Sequence, residues 1–153
     1  MQALELKVPP VALTAIFALL MWVITVSVPA FALALPWRTA IALVLFSAGF
    51  GIACAGVLAF RGARTTVNPV TPEATTAMVT SGVYRVSRNP MYVGFLLALI
   101  GWAAFLSHAL AFALLPFFVL YVNRFQIVPE ERVLADKFGG QFHQYKRSVR
   151  RWV

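Results

Sequence analysis

The sequence predicts an all-α polytopic membrane protein with about four transmembrane helices, the last two forming a tight C-terminal hairpin followed by a cytoplasmic amphipathic helix. Three observations carry this. The chain of 153 residues is 61% hydrophobic and only 12% charged, with a mean hydropathy of +0.81, far from the soluble average. Its apolar residues gather into uncharged or nearly uncharged runs of about the length that crosses a hydrocarbon core. Its basic residues gather between those runs, as they do where charge sets the orientation of a membrane protein. The formal charge of +8 therefore reads as topology and not as a nucleic-acid surface.

The first run, residues 8–35, carries no charge and exceeds the roughly 20 residues a spanning helix needs, leaving room for tilt. Ala32-Leu33-Ala34 resembles a signal-peptide cleavage site, but such peptides have apolar regions of only about 7–15 residues. Pro36, Trp37 and Arg38 form an interfacial turn, and residues 39–60 make the second span, closed by Arg61-Gly62-Ala63-Arg64. Residues 61–90 are polar and rich in turn formers, so they read as a structured cytoplasmic loop. Residues 91–107 and 109–128 are the hairpin, with Ser107-His108 as its turn and Pro116 as a kink in the second arm.

From Pro129 charge returns. Proline at a first helical position followed by Glu130-Glu131 in the first turn favours a helix start. Leu134, Phe138, Phe142 and Tyr145 then make an apolar stripe, interrupted at Gly139-Gly140, and the tail of residues 129–153 is expected on the membrane surface. Lys7, Arg61, Arg64, Arg85, Arg88, Arg124, Arg132, Lys137, Lys146, Arg147, Arg150 and Arg151 fall on one side of this topology and Arg38 alone on the other. That bias predicts an inner-membrane protein, one membrane domain in all, with both termini cytoplasmic.

Candidate functional residues concentrate at one end of the hairpin. Tyr84, Arg85, Arg88, Asn89 and Tyr92 precede the third span, and Arg124, Glu130 and Glu131 follow the fourth, so a tight hairpin brings them together at the cytoplasmic boundary. Fixed positive charge, acceptor carboxylates and phenols in one place suit a polar, zwitterionic ligand beside a greasy one. The same residues also fit topology anchors, interfacial tyrosines and helix-start carboxylates, and composition alone leaves both readings open. The lone Cys54 lies in an apolar run, which excludes a disulfide framework and reads as a small core residue; no metal site is expected. His108 and His143 read as solvated polar residues.

The order Ser81-Gly82-Val83-Tyr84-Arg85, Arg88-Asn89-Pro90-Met91-Tyr92-Val93-Gly94, then Glu130-Glu131 with Leu134, Phe138-Gly139 and Tyr145, resembles the isoprenylcysteine carboxyl methyltransferase and phospholipid methyltransferase superfamily. The resemblance covers about residues 65–153. It implies an integral-membrane enzyme that moves a methyl group from S-adenosylmethionine to a lipophilic small-molecule or lipid acceptor. Carried over residue by residue, it implies cofactor binding by Tyr84, Arg88, Asn89, Pro90, Tyr92, Gly94, Glu130 and Glu131, and catalysis by Arg124, Glu131 and Tyr92. Asn89 stands where isoprenylcysteine enzymes usually have histidine, and Gln126 stands where they have an arginine, with Arg124 nearby. The Asn-Pro-Met-Tyr-x-Gly form is similar to phospholipid N-methyltransferases.

The soluble methyltransferase turn, Gly-x-Gly-x-x-Gly after a strand, is absent. Two other readings compete. Sterol-reductase relatives carry a similar Arg-x-Pro-x-Tyr segment with a reduced nicotinamide cofactor, though in longer chains. A four-span transporter or partner subunit is the other, but a coupling carboxylate would have to lie within a span, and Glu5, Glu73, Glu130, Glu131 and Asp136 lie outside the apolar runs. The sequence leaves the acceptor and the oligomeric state open; Gly94, Ala98, Gly101, Ala103 and Ala104 form a small-residue face suited to close helix packing.

Overall fold

The computed structural model describes residues 5–63 and 75–153. Arg64, Glu73 and the Thr65–Pro72 part of the loop read from the sequence lie outside the described residues. Helix α1, Pro10–Ser27, begins on a proline that needs no helical hydrogen bond at that position. Helix α2, Arg38–Gly62, follows a short 3-10 turn, Pro29–Phe31, and an exposed Trp37 in left-handed conformation. Helix α3, Pro90–Leu106, is again opened by proline and is stopped by Ser107, whose positive φ of 50° turns its N–H back onto Ala103 and Ala104. The return arm is segmented: α4, Ala109–Ala113, then α5, Leu115–Val122, a π-helical turn, Asn123–Ile127, and α6, Val128–Phe138. The break before α5 lies beside Pro116, which cannot continue the hydrogen-bond ladder of α4. Gly139, at φ 50° and ψ −119°, separates α6 from α7, Gly140–Ser148.

Helices α1, α2 and the continuous run Ala109–Phe138 are each long and apolar enough to cross a membrane, and α3 is a shorter apolar helix of 17 residues. The protein is multi-pass. Apolar side chains such as Val11, Leu19, Val44 and Phe50 point outward, the surface a bilayer would cover. The interior is built around α3, with Leu99, Ala103, Phe118, Val122 and Ile127 at or below 1% exposure.

The small-residue face of α3 is consumed within the chain. A Cβ on Gly94 would stand 2.6 Å from the Gly49 carbonyl oxygen, and one on Gly101 would stand 3.2 Å from that of Ala42. Glycine lets the backbones of α2 and α3 touch. On the opposite side, the Trp102 indole donates to the Ala18 carbonyl at 2.9 Å, tying α1 to α3.

His108 departs from its sequence reading. It is wholly buried, its Nε2 lies 2.8 Å from the Val28 carbonyl, and Phe31 packs edge-on against the ring. Together with the Leu33 N–H to Ser107 carbonyl bond of 2.7 Å, it pins the α1–α2 connection to the hairpin turn. A polar ring with a carbonyl in reach is better placed in that joint than in the apolar run on either side. His143 is exposed on α7.

Candidate functional site

At the end of α3 opposite the hairpin turn, the chain encloses a cavity of about 130 Å³. Its walls come from five helices: Pro10 at the start of α1, Phe60 near the end of α2, Met91, Tyr92 and Phe95 on α3, Leu134 on α6, and Phe142 and Tyr145 on α7. Three residues of the apolar stripe predicted for the tail, Leu134, Phe142 and Tyr145, therefore face inward, and Phe138 does not line the cavity. Leu134, Phe142 and Tyr145 roof the cavity, where burying them against the chain's own aromatic residues removes apolar area from water.

Two carboxylates follow Pro129, and the structure separates their roles. Tyr92, one turn into α3 and 5% exposed, donates its hydroxyl to Glu130 Oε1 at 2.6 Å. Both line the cavity, and no cation among the described residues pairs with Glu130. Glu130 lies beyond the apolar part of its helical run. Enclosure in the apolar wall pushes its carboxyl up to about 8, the Tyr92 bond pulling down and the charge of neighbouring Glu131 adding to the rise.

Glu131 is saturated. Arg151 reaches Oε1 through Nε at 3.1 Å and Oε2 through a terminal nitrogen at 2.7 Å, Arg88 holds Oε1 at 2.8 Å, and Lys146 stands 3.6 Å from Oε2. Burial alone would raise this carboxyl, but the hydrogen bonds and charges of Arg151 and Arg88 outweigh it and hold it below the ordinary carboxylate range.

The terminal nitrogens of Arg88 and the Asn89 amide donate to the chain itself, while the buried Arg88 Nε has no partner among the described residues. Arg88 also donates to the Val149 carbonyl at 2.6 Å and the Lys146 carbonyl at 3.2 Å, and Asn89 Nδ2 donates to the Arg151 carbonyl at 2.9 Å. Tyr84, buried in a 3-10 turn, Gly82–Arg85, packs edge-on against Phe60 at 5.3 Å and lines the cavity. Its carbonyl accepts the Tyr145 hydroxyl at 2.7 Å. Burial pushes the Tyr84 phenol well above its usual range and that of Tyr145 up to about 12, so both stay neutral donors.

Of the residues the sequence singles out, Tyr84, Arg88, Asn89, Tyr92, Glu130 and Glu131 meet at the cavity. Pro90 is buried as the first residue of α3, and Gly94 lies in the α2 contact. Arg124 is not brought to the cavity. It is exposed on the π turn, stacks over Phe125 and pairs with Glu5 Oε1 at 3.0 Å. Gln126 is wholly buried and donates to the Val8 carbonyl at 2.7 Å, anchoring the entry to α1. Sequence reasoning missed Arg151, Gln126 and Glu5 as parts of this frame. The apolar stripe of the tail was the available signal for Phe142 and Tyr145; nothing local marks Arg151.

Residues 37–141 match a family model described as phospholipid methyltransferase. The chain is similar to an uncharacterized protein of Haemophilus influenzae, 43% identical over 63 residues that make up 41% of this chain and 100% of that one. It is similar to methanethiol S-methyltransferase 1 of Bradyrhizobium diazoefficiens, 39% identical over 69 residues, 44% of this chain and 22% of the relative. It is also similar to protein-S-isoprenylcysteine O-methyltransferase A of Arabidopsis thaliana, 33% identical over 119 residues, 74% of this chain and 57% of the relative. The matches thus span under two thirds of both named methyltransferases. No solved structure matches.

Proposed function

Because the chain belongs to the phospholipid methyltransferase family, we propose that it is a membrane methyltransferase that binds S-adenosylmethionine in the cavity beside Glu130 and methylates a lipophilic acceptor. The observation that carries this reading is the Tyr92–Glu130 pair: a carboxyl set in an apolar, aromatic wall with no cation among the described residues paired to it. Burial keeps this carboxyl largely neutral at neutral pH while it is alone, and a ligand that brings a counter-charge favours its ionised form; a ligand bearing sulfonium and ammonium groups has that charge. The residues present therefore fit the cofactor. When bound, the cofactor supplies an activated methyl carbon for in-line displacement, which needs neither metal nor covalent nucleophile.

The chain's own part is alignment and exclusion of water. Glu130 offers a carboxylate oxygen to the ligand cation, and the Tyr92 hydroxyl fixes which oxygen faces it. Tyr84, Phe60, Phe95 and Phe142 provide ring faces for a base or a cation. An amine or thiol acceptor must lose a proton, and a carboxyl that titrates near 8 exchanges one close to neutral pH. Pro10 and Phe60, at the ends of two membrane-crossing helices, give the cavity an apolar side from which a lipophilic acceptor would enter. The charge bias supports a cytoplasmic side of an inner membrane for the cavity and both termini. By their names the relatives methylate the sulfur of methanethiol and an oxygen of protein S-isoprenylcysteine, which favours methyl transfer over nicotinamide-dependent reduction and over transport.

Calorimetric titration of S-adenosylhomocysteine into the detergent-purified protein tests this. Wild type binds saturably, Tyr92→Phe and Glu130→Gln bind about tenfold more weakly or worse, Arg124→Gln binds like wild type, and reduced nicotinamide nucleotide gives no heat. Folded, monodisperse wild type that binds no S-adenosylhomocysteine would overturn the reading.

A further inference from the structure

The last residues of the chain do not trail into solvent. Ser87 and Arg150 form a parallel bridge, the Arg88 N–H donates to the Arg150 carbonyl at 3.0 Å, and the Arg151 carbonyl accepts from Asn89 at 2.9 Å and from Ser87 Oγ at 3.4 Å. Beyond it the Trp152 indole donates to Asn123 Oδ1 on the π turn at 3.2 Å. Residues 149–152 thus form an arm laid between the entry to α3 and the return arm of the hairpin. The arm's charged contribution to the residues that line the cavity is the Arg151 guanidinium, which stands behind Glu131 and meets its carboxylate with two bonds.

Glu130 and Glu131 are neighbours on one helix turn, and two adjacent ionised carboxylates oppose each other. Around Glu130 stand Tyr92 from α3, Tyr84 from the 3-10 turn, Tyr145 from α7 and Glu131 from its own helix. The cations nearby, Arg88, Lys146 and Arg151, are all directed at Glu131. We infer that Arg151 is a positioning residue for Glu130: held by the C-terminal arm, it offsets the charge of Glu131 and leaves Glu130 as the carboxylate that, among the described residues, the cavity presents to a ligand cation. This rests on the reading of the cavity as a cation-binding ligand site, but the charge relation is measurable with no ligand present.

The test is an infrared titration of the protonated-carboxyl band of the ligand-free full chain in detergent, with Glu130→Gln identifying the band. Arg151→Gln should raise the Glu130 midpoint by about one pH unit, a tenfold fall in its ionisation constant, and Arg151→Lys should restore most of it. Glu131→Gln should lower the midpoint, and adding Arg151→Gln to that variant should return it towards the wild-type value, because the two opposite charges then leave together. An unmoved midpoint in folded Arg151→Gln, or a double variant that stays at the Glu131→Gln value, would overturn the proposal. If Arg151→Gln does not fold, Glu131→Gln decides alone, and a midpoint equal to wild type overturns it. Calorimetry with S-adenosylhomocysteine on the same wild-type preparation separates the two ideas. Absent binding with the infrared shifts in place rejects the cofactor and keeps the Arg151 role; intact binding with unmoved midpoints does the reverse.

Discussion

One hydroxyl decides how Glu130 sits. Tyr92→Phe removes the donor that, among the described residues, meets Glu130 at 2.6 Å and leaves a carboxyl in an apolar wall without that bond, a loss of about 1–3 kcal/mol. Its thermal midpoint in detergent should therefore fall as well as its ligand affinity. The pH dependence of stability follows from the same residue. The ordinary carboxyl value is 4.5 and the folded value about 8. Stability from the favoured neutral form is therefore fully present below the ordinary value and lost as pH rises through the folded one. Glu131 has the opposite sign: its lowered carboxyl stabilises above the ordinary value and fails as pH falls below it. Melting followed from about pH 6 to about pH 9 should decline in wild type and stay flatter in Glu130→Gln; equal slopes would show that Glu130 ionises freely. The sequence marked Glu130, Glu131 and Tyr92 as one group. It did not say which carboxylate was free, because that depends on Arg151, a residue without a local signature.

Among the elements, the α2–α3 contact is the least tolerant of added volume. Gly94→Ala drives a methyl to 2.6 Å from the Gly49 carbonyl, backbone against backbone, and should cost about 2 kcal/mol or more. Gly51→Ala, with nothing within 4 Å, should be neutral or gain about 0.5–1 kcal/mol from helix propensity. Thermal unfolding of the pair in detergent checks both, and equal behaviour would show that the helices do not touch there. The α6–α7 corner is a second sensitive joint. Gly139 holds φ 50° and ψ −119°, a region closed to side chains, so Gly139→Ala should cost about 1–3 kcal/mol and lift α7 from the cavity. The Gly139-Gly140 break and the Pro116 break were legible in the sequence because glycine and proline act on their own backbone. The inward turn of the tail was not, since an apolar stripe looks the same whether lipid or protein covers it.

The whole molecule closes its site with its far end. Removing residues 149–153 deletes the bonds to Arg88, Asn89, Glu131 and Asn123, and should lower both the thermal midpoint and S-adenosylhomocysteine affinity, the latter by at least about tenfold. Limited proteolysis should then cut within α7. Orientation is checked with cysteines at positions 37 and 153 in a Cys54→Ala background, Trp37 being 81% exposed. An impermeant thiol reagent on intact cells should label 37 and spare 153; labelling of 153 would reverse the topology. What the sequence alone determined is the membrane class, the apolar runs, the charge bias and, through the Arg-Asn-Pro-Met-Tyr and Glu-Glu segments, the family. Each is a property of contiguous residues, written by hydropathy or short spacing. Only the tertiary structure decided that Gln126 anchors Val8 across 118 residues, that Arg124 turns away to Glu5 across 119, and that Arg88 and Asn89 hold the chain's own C-terminus. Those partners meet because helices packed around α3 bring distant segments to one end of the molecule, and no periodicity along the chain encodes a contact of that range.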